Sequence, residues 1–234
     1  MTDLLLIHGL TYDHHTWDLL LPHIDPDRRV LAIDLPGHGD NPPQDSYPLE
    51  GVLATVHQQV TDAGLTDPVI VGHSAGAIIA TAYAARYPAT AVVNVDQILV
   101  LGQFGEILRG AEPLLRSPQW GELWNRMLGN MGIDSLPDEA RKIVETATTP
   151  RQDLLLGYWS DILRHTNEEV NGQRRQELET IAERGIAYRW ISSYQPPEEH
   201  LQWLNSILPV QVDVVPGSHF PHLSDPITVA RLLP

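Results

Sequence analysis

The most informative part of the sequence is Val69-Ile-Val-Gly72-His73-Ser74-Ala75-Gly76-Ala77. An apolar run ends in Gly-x-Ser-x-Gly and continues into helix-forming residues, which predicts a strand that turns sharply into a helix at Ser74. Small residues at both ends of the motif permit such a turn, and the turn would expose the serine hydroxyl as a nucleophile. The N–H of Ala75 would then lie at a helix N-terminus, where it can stabilise an oxyanion. The alternative is a glycine-rich turn that carries a solvated serine.

Around this stretch, short apolar runs alternate with longer helical patterns. This alternation predicts an α/β fold with a mostly parallel sheet of about six strands flanked by helices, each strand being buried on both faces. The expected strands cover residues 4–8, 30–34, 68–72, 91–96, 187–192 and 210–215. Helices are expected over residues 49–63, 75–87, 198–208 and 226–233.

Residues 98–184 interrupt the alternation, because they are helical in pattern and contain no convincing strand. They follow the C-terminal end of a predicted strand, where open α/β sheets bind ligands. We therefore expect a helical cap at 98–184 on a core formed by 1–97 and 185–234. The other interpretation is an inserted set of helices with its own small core. The segment carries Trp120, Trp124, Met127, Met131 and Trp159.

Two other loops offer partners for Ser74. The first predicted strand runs into Gly9 and Leu10, and the N–H of Leu10 is the best candidate for a second oxyanion donor. Near the other end of the chain, His219 follows the last predicted strand directly. A serine nucleophile needs a base, and a histidine at a neighbouring strand end can serve as one.

Taken together, the loop at Gly9, the run Asp34-Leu-Pro-Gly-His-Gly39, the Ser74 motif and the run Gly217-Ser-His-Phe-Pro221 resemble the α/β-hydrolase superfamily. The resemblance covers nearly the whole chain, with the insertion as the cap. It implies a Ser-His-acid triad and no bound cofactor or metal. The motifs are specific for fold and triad, and they say little about the substrate.

The triad acid departs from the common pattern of that superfamily. Most members carry it after the penultimate strand, where this chain has no carboxylate before Glu198 and Glu199. Asp96 is the better candidate, because it ends a buried strand and lies 22 positions after Ser74, close to the spacing in subgroups with a displaced acid. A carboxylate there needs hydrogen bonds, and His219 would supply one. Asp34 ends another strand and is expected to order the following loop.

Subgroups with the displaced acid include lactone hydrolases of the zearalenone type, haloalkane dehalogenases and cofactor-free ring dioxygenases. The runs at 189–198 and 217–221 look like the lactonase and dioxygenase branches. Dehalogenases use an aspartate nucleophile, so Ser74 disfavours them. The dioxygenases carry His after the serine and Trp after the acid, whereas this chain has Ala75 and Gln97.

Composition excludes several other classes. The 234 residues include no cysteine, and the net charge of −15 argues against nucleic acid and anionic lipid as partners. Neither a signal peptide nor a spanning segment is visible, so a cytoplasmic protein is expected. The adjacent His14 and His15 are expected to point in different directions, and His219 with His222 lacks a third ligand, so no metal site is predicted.

The sequence therefore predicts a serine hydrolase that cleaves a carboxylic ester or lactone of a small, apolar molecule. Trp120, Trp124 and Trp159 are expected to line the substrate pocket together with Gly9, or else to form the core of the cap. One alternative is a cofactor-independent dioxygenase or lyase in which His219 and Asp96 act as a base. Another is a ligand-sensing module with negligible turnover. The oligomeric state stays open.

Overall fold

A computed structural model describes residues 2–234; Met1, where the predicted core range begins, lies outside them. The sheet has six strands, and every strand end lies within one residue of its predicted position. The strands are β1 (Leu4–Ile7), β2 (Val30–Ile33), β3 (Val69–His73), β4 (Ala91–Val95), β5 (Ala187–Ser192) and β6 (Val210–Val214). All neighbouring pairs are parallel, which confirms the predicted α/β architecture.

The strand order β2-β1-β3-β4-β5-β6 places the functional loops together. From β1 the chain first adds β2 on one side and then β3 on the other, so the order reverses between β1 and β3. Parallel sheets bind ligands beyond the carboxyl ends of the strands at such a reversal. The loops that follow β1, β3, β4 and β6 all leave from the carboxyl ends of the strands.

Side chains alternate between the two faces of the central strands, as the pleat requires. Leu5 and Ile7 join the larger core cluster on one face, and Leu4 and Leu6 join a second cluster on the other. The expectation that all six strands are buried on both faces is wrong for the two edges. β6 reads Val-Gln-Val-Asp-Val and has no fully buried residue, because an edge strand has a neighbour on one side only.

Twelve α-helices and three short 3₁₀ turns cover much of the rest of the described chain. The helices outside 98–184 are α1 (Leu49–Asp62), α2 (Ala75–Arg86), α10 (Glu198–Asn205), α11 (Pro221–Ser224) and α12 (Pro226–Leu232). Those inside it are α3 (Gln103–Gly110), α4 (Glu112–Leu115), α5 (Trp120–Leu128), α6 (Asp138–Thr146), α7 (Gln152–Tyr158), α8 (Ser160–Arg164) and α9 (Asn167–Glu183). Among residues 2–234, no helix is both long and apolar enough to cross a bilayer.

The helical insertion is tied to the loop after β1. Tyr12 and Thr148 form an isolated antiparallel bridge, and the N–H of Thr149 donates to the carbonyl of Thr11 at 2.8 Å. The long helix α9 begins with a capping box at Thr166 and Glu169 and packs along α2. The insertion therefore contacts the sheet domain near the carboxyl ends of the strands, where the functional loops lie.

Candidate active site

Ser74 lies at the tight turn between β3 and α2. Its φ of +50° and ψ of −124° are unusual for a residue with a side chain, and such strain is typical of functional turns. The flanking glycines make the turn possible. A Cβ on Gly72 would lie 2.3 Å from the carbonyl oxygen of Gly76, and one on Gly76 would lie 2.4 Å from those of Ile7 and His8.

Two backbone N–H groups beside Ser74 are available to an oxyanion. Among residues 2–234, neither the N–H of Leu10 nor that of Ala75 has a hydrogen-bond acceptor. Gly9 brings the first loop close to the serine, because a Cβ built on Gly9 would lie 3.4 Å from Ser74 Cβ. Leu10 and Ala75 both border the cavity that contains Ser74. This is the arrangement expected of an oxyanion hole.

Two buried histidines hold the loop that carries Leu10. His8 Nε2 accepts from the N–H of Leu35 at 3.0 Å, and His38 Nε2 accepts from the N–H of Thr11 at 3.0 Å. Burial lowers the pKa of His8, and burial next to the imidazole of His8 lowers the pKa of His38 to about 3. Both imidazoles are thus neutral near pH 7, the state in which a ring nitrogen can accept a hydrogen bond.

The side chains of Asp96 and His219 contact each other beyond the carboxyl ends of the strands. Nδ1 of His219 lies 2.8 Å from Oδ2 of Asp96, whose side chain is only 4% exposed. The same carboxylate accepts from the backbone N–H of Ser193 at 2.6 Å and from the Ser193 hydroxyl at 2.9 Å. Three donors therefore fix the carboxylate, and the carboxylate orients the imidazole.

The other carboxylates considered from sequence are not hydrogen-bonded to His219. Glu198 and Glu199 are exposed residues in the first turn of α10, and neither is hydrogen-bonded to His219. Asp34 accepts from the backbone N–H groups of His14 and Asp40, so it orders the loop after β2 as expected.

The loop that carries His219 is fixed by two main-chain contacts. The backbone N–H of His219 donates to the carbonyl of Met131 at 2.9 Å, which connects the loop to the helical insertion. The backbone carbonyl of His219 accepts from Nε2 of His73 at 2.8 Å. Burial and the neighbouring His222 and His219 hold the pKa of His73 well below its usual range, so this ring is neutral.

Ser74 and His219 border the same cavity, yet no hydrogen bond within residues 2–234 joins the serine hydroxyl to the imidazole. Catalytic hydrogen bonds are often long in unliganded enzymes and shorten when substrate binds. The site therefore contains a hydrogen-bonded His219–Asp96 pair and, bordering the same cavity, a serine that is not bonded to the imidazole.

The cavity has a volume of about 740 Å³, within the usual range for small-molecule sites. Trp124 and Trp159 line it. Trp120 does not; it is half-buried against the larger core cluster, so the structure does not bring it to the pocket. Gly9 lies behind Ser74 rather than in the lining.

Three adjacent side chains outside the cavity offer ligand atoms suitable for a metal ion. Side-chain atoms of Asp13, His14 and His15 lie within 4.8 Å of one another. The two imidazoles lie side by side, with ring centroids 4.1 Å apart and ring planes inclined by 36°, so the expectation that they point in different directions is wrong. Nδ1 of His14 is already bonded to Asp34, and none of the three borders the cavity.

Sequence reasoning missed two residues that position this site, Ser193 and His73. Ser193 directly follows the strand where most superfamily members have their acid, and that placement was the only available signal. His73 was visible inside the Gly-x-Ser-x-Gly motif, but its bond to the carbonyl of His219 depends on a loop 146 residues away along the chain.

Comparison with known proteins identifies the family of this chain. The model of the alpha/beta hydrolase family matches residues 4–232, and the chain belongs to that family. A pimeloyl-acyl-carrier-protein methyl ester esterase of Neisseria meningitidis is 37% identical over 83 residues, which are 36% of this chain and 25% of that protein. Epoxide hydrolase 4 of Mus musculus is 31% identical over 121 residues, 49% of this chain and 33% of that protein.

The matched segments thus span a quarter to a third of these curated relatives. Among solved structures, an AqdC variant in complex with its substrate, described as recognising and ring-cleaving the Pseudomonas quinolone signal, superimposes with a TM-score of 0.83. It is 18% identical, and the match covers 99% of this chain and 89% of that one. At that identity the likeness supports the fold alone.

Proposed function

We propose that this protein is a serine hydrolase that cleaves a carboxylic ester or lactone of a small, apolar substrate. The observation that carries the proposal is the convergence on one cavity of Ser74 at a strained turn, two unpaired backbone N–H groups and the hydrogen-bonded pair His219–Asp96. Each component is needed for acyl transfer, and their order along the chain is that of the family.

The reaction would proceed in two halves. Ser74 Oγ attacks the carbonyl carbon while Nε2 of His219 takes the hydroxyl proton, and the N–H groups of Leu10 and Ala75 bind the developing oxyanion. His219 then returns the proton to the leaving alcohol, and the acyl-enzyme remains. Water activated by His219 attacks the acyl-enzyme and releases the acid and free Ser74. Asp96 holds His219 with Nδ1 protonated throughout.

Residues 98–184 would act as the cap over this site. Trp124, Trp159, Met127 and Met131 come from that segment and line the same cavity as Ser74. Aromatic and methionine side chains cover flat or irregular apolar groups well. The lining therefore favours an apolar acyl chain or ring.

A panel of chromogenic esters of increasing chain length, with lactones included, tests the proposal. An active-site phosphonate should add its mass to wild-type protein and not to Ser74→Ala. The absence of both ester turnover and phosphonate labelling would contradict the hydrolase assignment.

A second candidate is a cofactor-independent dioxygenase or lyase. It is favoured by one observation: His219 is bonded to Asp96 while the Ser74 hydroxyl is not bonded to His219. In that chemistry the pair would abstract a substrate proton and Ser74 would only donate a hydrogen bond. Ester turnover that proceeds unchanged without oxygen and is lost in Ser74→Ala would decide for the hydrolase.

A further inference from the structure

One positively charged side chain lies in the lining of the otherwise largely apolar cavity. Arg174, on α9, is the only Lys or Arg among its lining residues within the described chain, and it is 9% exposed. Because α9 packs along α2, this residue comes from a different wall than Ser74 at the start of α2. Its position was not marked by any sequence motif.

The guanidinium of Arg174 is only partly hydrogen-bonded. Nη1 donates to Oε2 of Glu177 at 2.8 Å, and the side chains of both partners are nearly buried. Nε is buried without an acceptor, and Nη2 makes no hydrogen bond within residues 2–234. Nε–H and the Nη2 group lie on one edge of the planar guanidinium, and a buried donor such as Nε–H ordinarily has a partner.

The charge around Arg174 limits what can bind there. Glu177 already neutralises the guanidinium, the cavity lining holds the carboxylates of Asp96, Asp161 and Glu199, and the chain carries a net charge of −15. A bound carboxylate would therefore remain an uncompensated anion inside a cavity, which is costly. A neutral carbonyl oxygen accepts the same N–H groups without that penalty.

We propose that Arg174 binds a second, uncharged carbonyl oxygen of the substrate, away from the bond that is cleaved. The substrate class is then an apolar ester or lactone whose acyl part carries a ketone, amide or further ester carbonyl. This inference rests on the proposed hydrolase function and names the specificity element of that same site.

Matched pairs of p-nitrophenyl esters test it, with acyl chains of equal length that end either in a methyl group or in a methyl ketone. At one chain length the wild type should favour the ketone by about tenfold or more in kcat/KM, the scale of one hydrogen bond to a charged donor. Arg174→Met should lose this preference. Because that variant leaves Glu177 buried without its partner, Arg174→Met/Glu177→Gln is measured beside it and should lose the preference as well.

Arg175→Met is the matched control. Arg175 is the next residue on α9, is more exposed, and lies over the ring of Trp203. It should keep the wild-type preference. A wild type without any preference, a preference that survives in the double variant, or stronger turnover of a carboxylate-ended ester would overturn the proposal.

Calorimetric titration of Ser74→Ala with the same esters separates the two proposals. Tighter binding of the ketone-ended ester there, lost on adding Arg174→Met, supports the role of Arg174 even if the wild type hydrolyses no ester. Equal binding of both esters overturns it whatever the hydrolysis assay shows.

Discussion

Replacing Asp96 by asparagine is the sharpest test of the proposed site, because the surroundings of this side chain fix what the amide can do. In the wild type, Oδ1 accepts from the N–H of Ser193 at 2.6 Å, and Oδ2 accepts from the Ser193 hydroxyl and from His219 Nδ1. An asparagine has one oxygen and one NH₂ group, so it cannot accept at both positions.

The amide has two orientations, and each one harms the site. With its oxygen toward the N–H of Ser193, its NH₂ group donates to His219 Nδ1 and stabilises the tautomer that cannot take the proton of Ser74. The reverse orientation sets the NH₂ group against the N–H of Ser193 and leaves a buried donor unpaired, at a cost of about 1–3 kcal/mol. The productive tautomer of His219 is thereby disfavoured by about 10- to 100-fold.

Loss of the negative charge adds to this effect. A carboxylate about 4 Å from an imidazolium stabilises it by about 4 kcal/mol at an effective dielectric constant near 20. Together the two effects predict a kcat for Asp96→Asn that is lower by a factor of about 10⁴, as seen in other triads. Steady-state hydrolysis of the best ester from the panel measures it.

Two further variants make the result specific to the pairing with His219. Ser193→Ala removes one of three donors to the carboxylate and should reduce kcat by about tenfold. Glu199→Gln, an exposed residue of α10 that borders the cavity, should have little effect. Retention of activity within tenfold by Asp96→Asn, or a larger loss in Glu199→Gln, would refute the assignment of the acid.

Ser74→Ala should lower kcat by a factor of about 10⁶ with an unchanged urea midpoint, as expected for loss of a triad nucleophile; activity within tenfold of wild type would exclude that role. Trp124→Phe and Trp159→Phe should change the order of preference among acyl chains severalfold in kcat/KM, because both rings line the cavity, whereas Trp120→Phe should not. An equal shift in all three would contradict the assigned lining. Burial lowers the pKa of His222 to about 3, so its contribution to stability is present above pH 6.5 and is lost as pH falls from there towards 3. His222→Leu should therefore gain about 2 kcal/mol over wild type between pH 7.5 and pH 5 in urea unfolding, and an unchanged difference would contradict a buried neutral imidazole.

The strand and helix pattern was readable from sequence because burial imposes a strong local signal. Both ends of all six strands lie within one residue of their predicted positions, and so does the C-terminus of the helix that follows Ser74. The glycines at 72 and 76 marked the sharp turn, since neither position has room for a Cβ. Asp96 stood out because a carboxylate that ends an apolar strand needs partners.

Which side chains contact one another depends on how the elements pack. Trp120 and Trp124 lie one helical turn apart on α5, and both are aromatic, yet only Trp124 borders the cavity. No local pattern separates them, because the packing of the insertion on the sheet sets which residue faces inward.

The hydrogen-bond partners of Asp96 likewise cannot be identified from a local sequence pattern. Ser193 and His219 reach it from the ends of β5 and β6, about a hundred residues further along the chain. Strand periodicity is a property of neighbouring residues and can be seen in the sequence. Contacts between distant strand ends arise from strand order and register, which are fixed only when the whole sheet assembles.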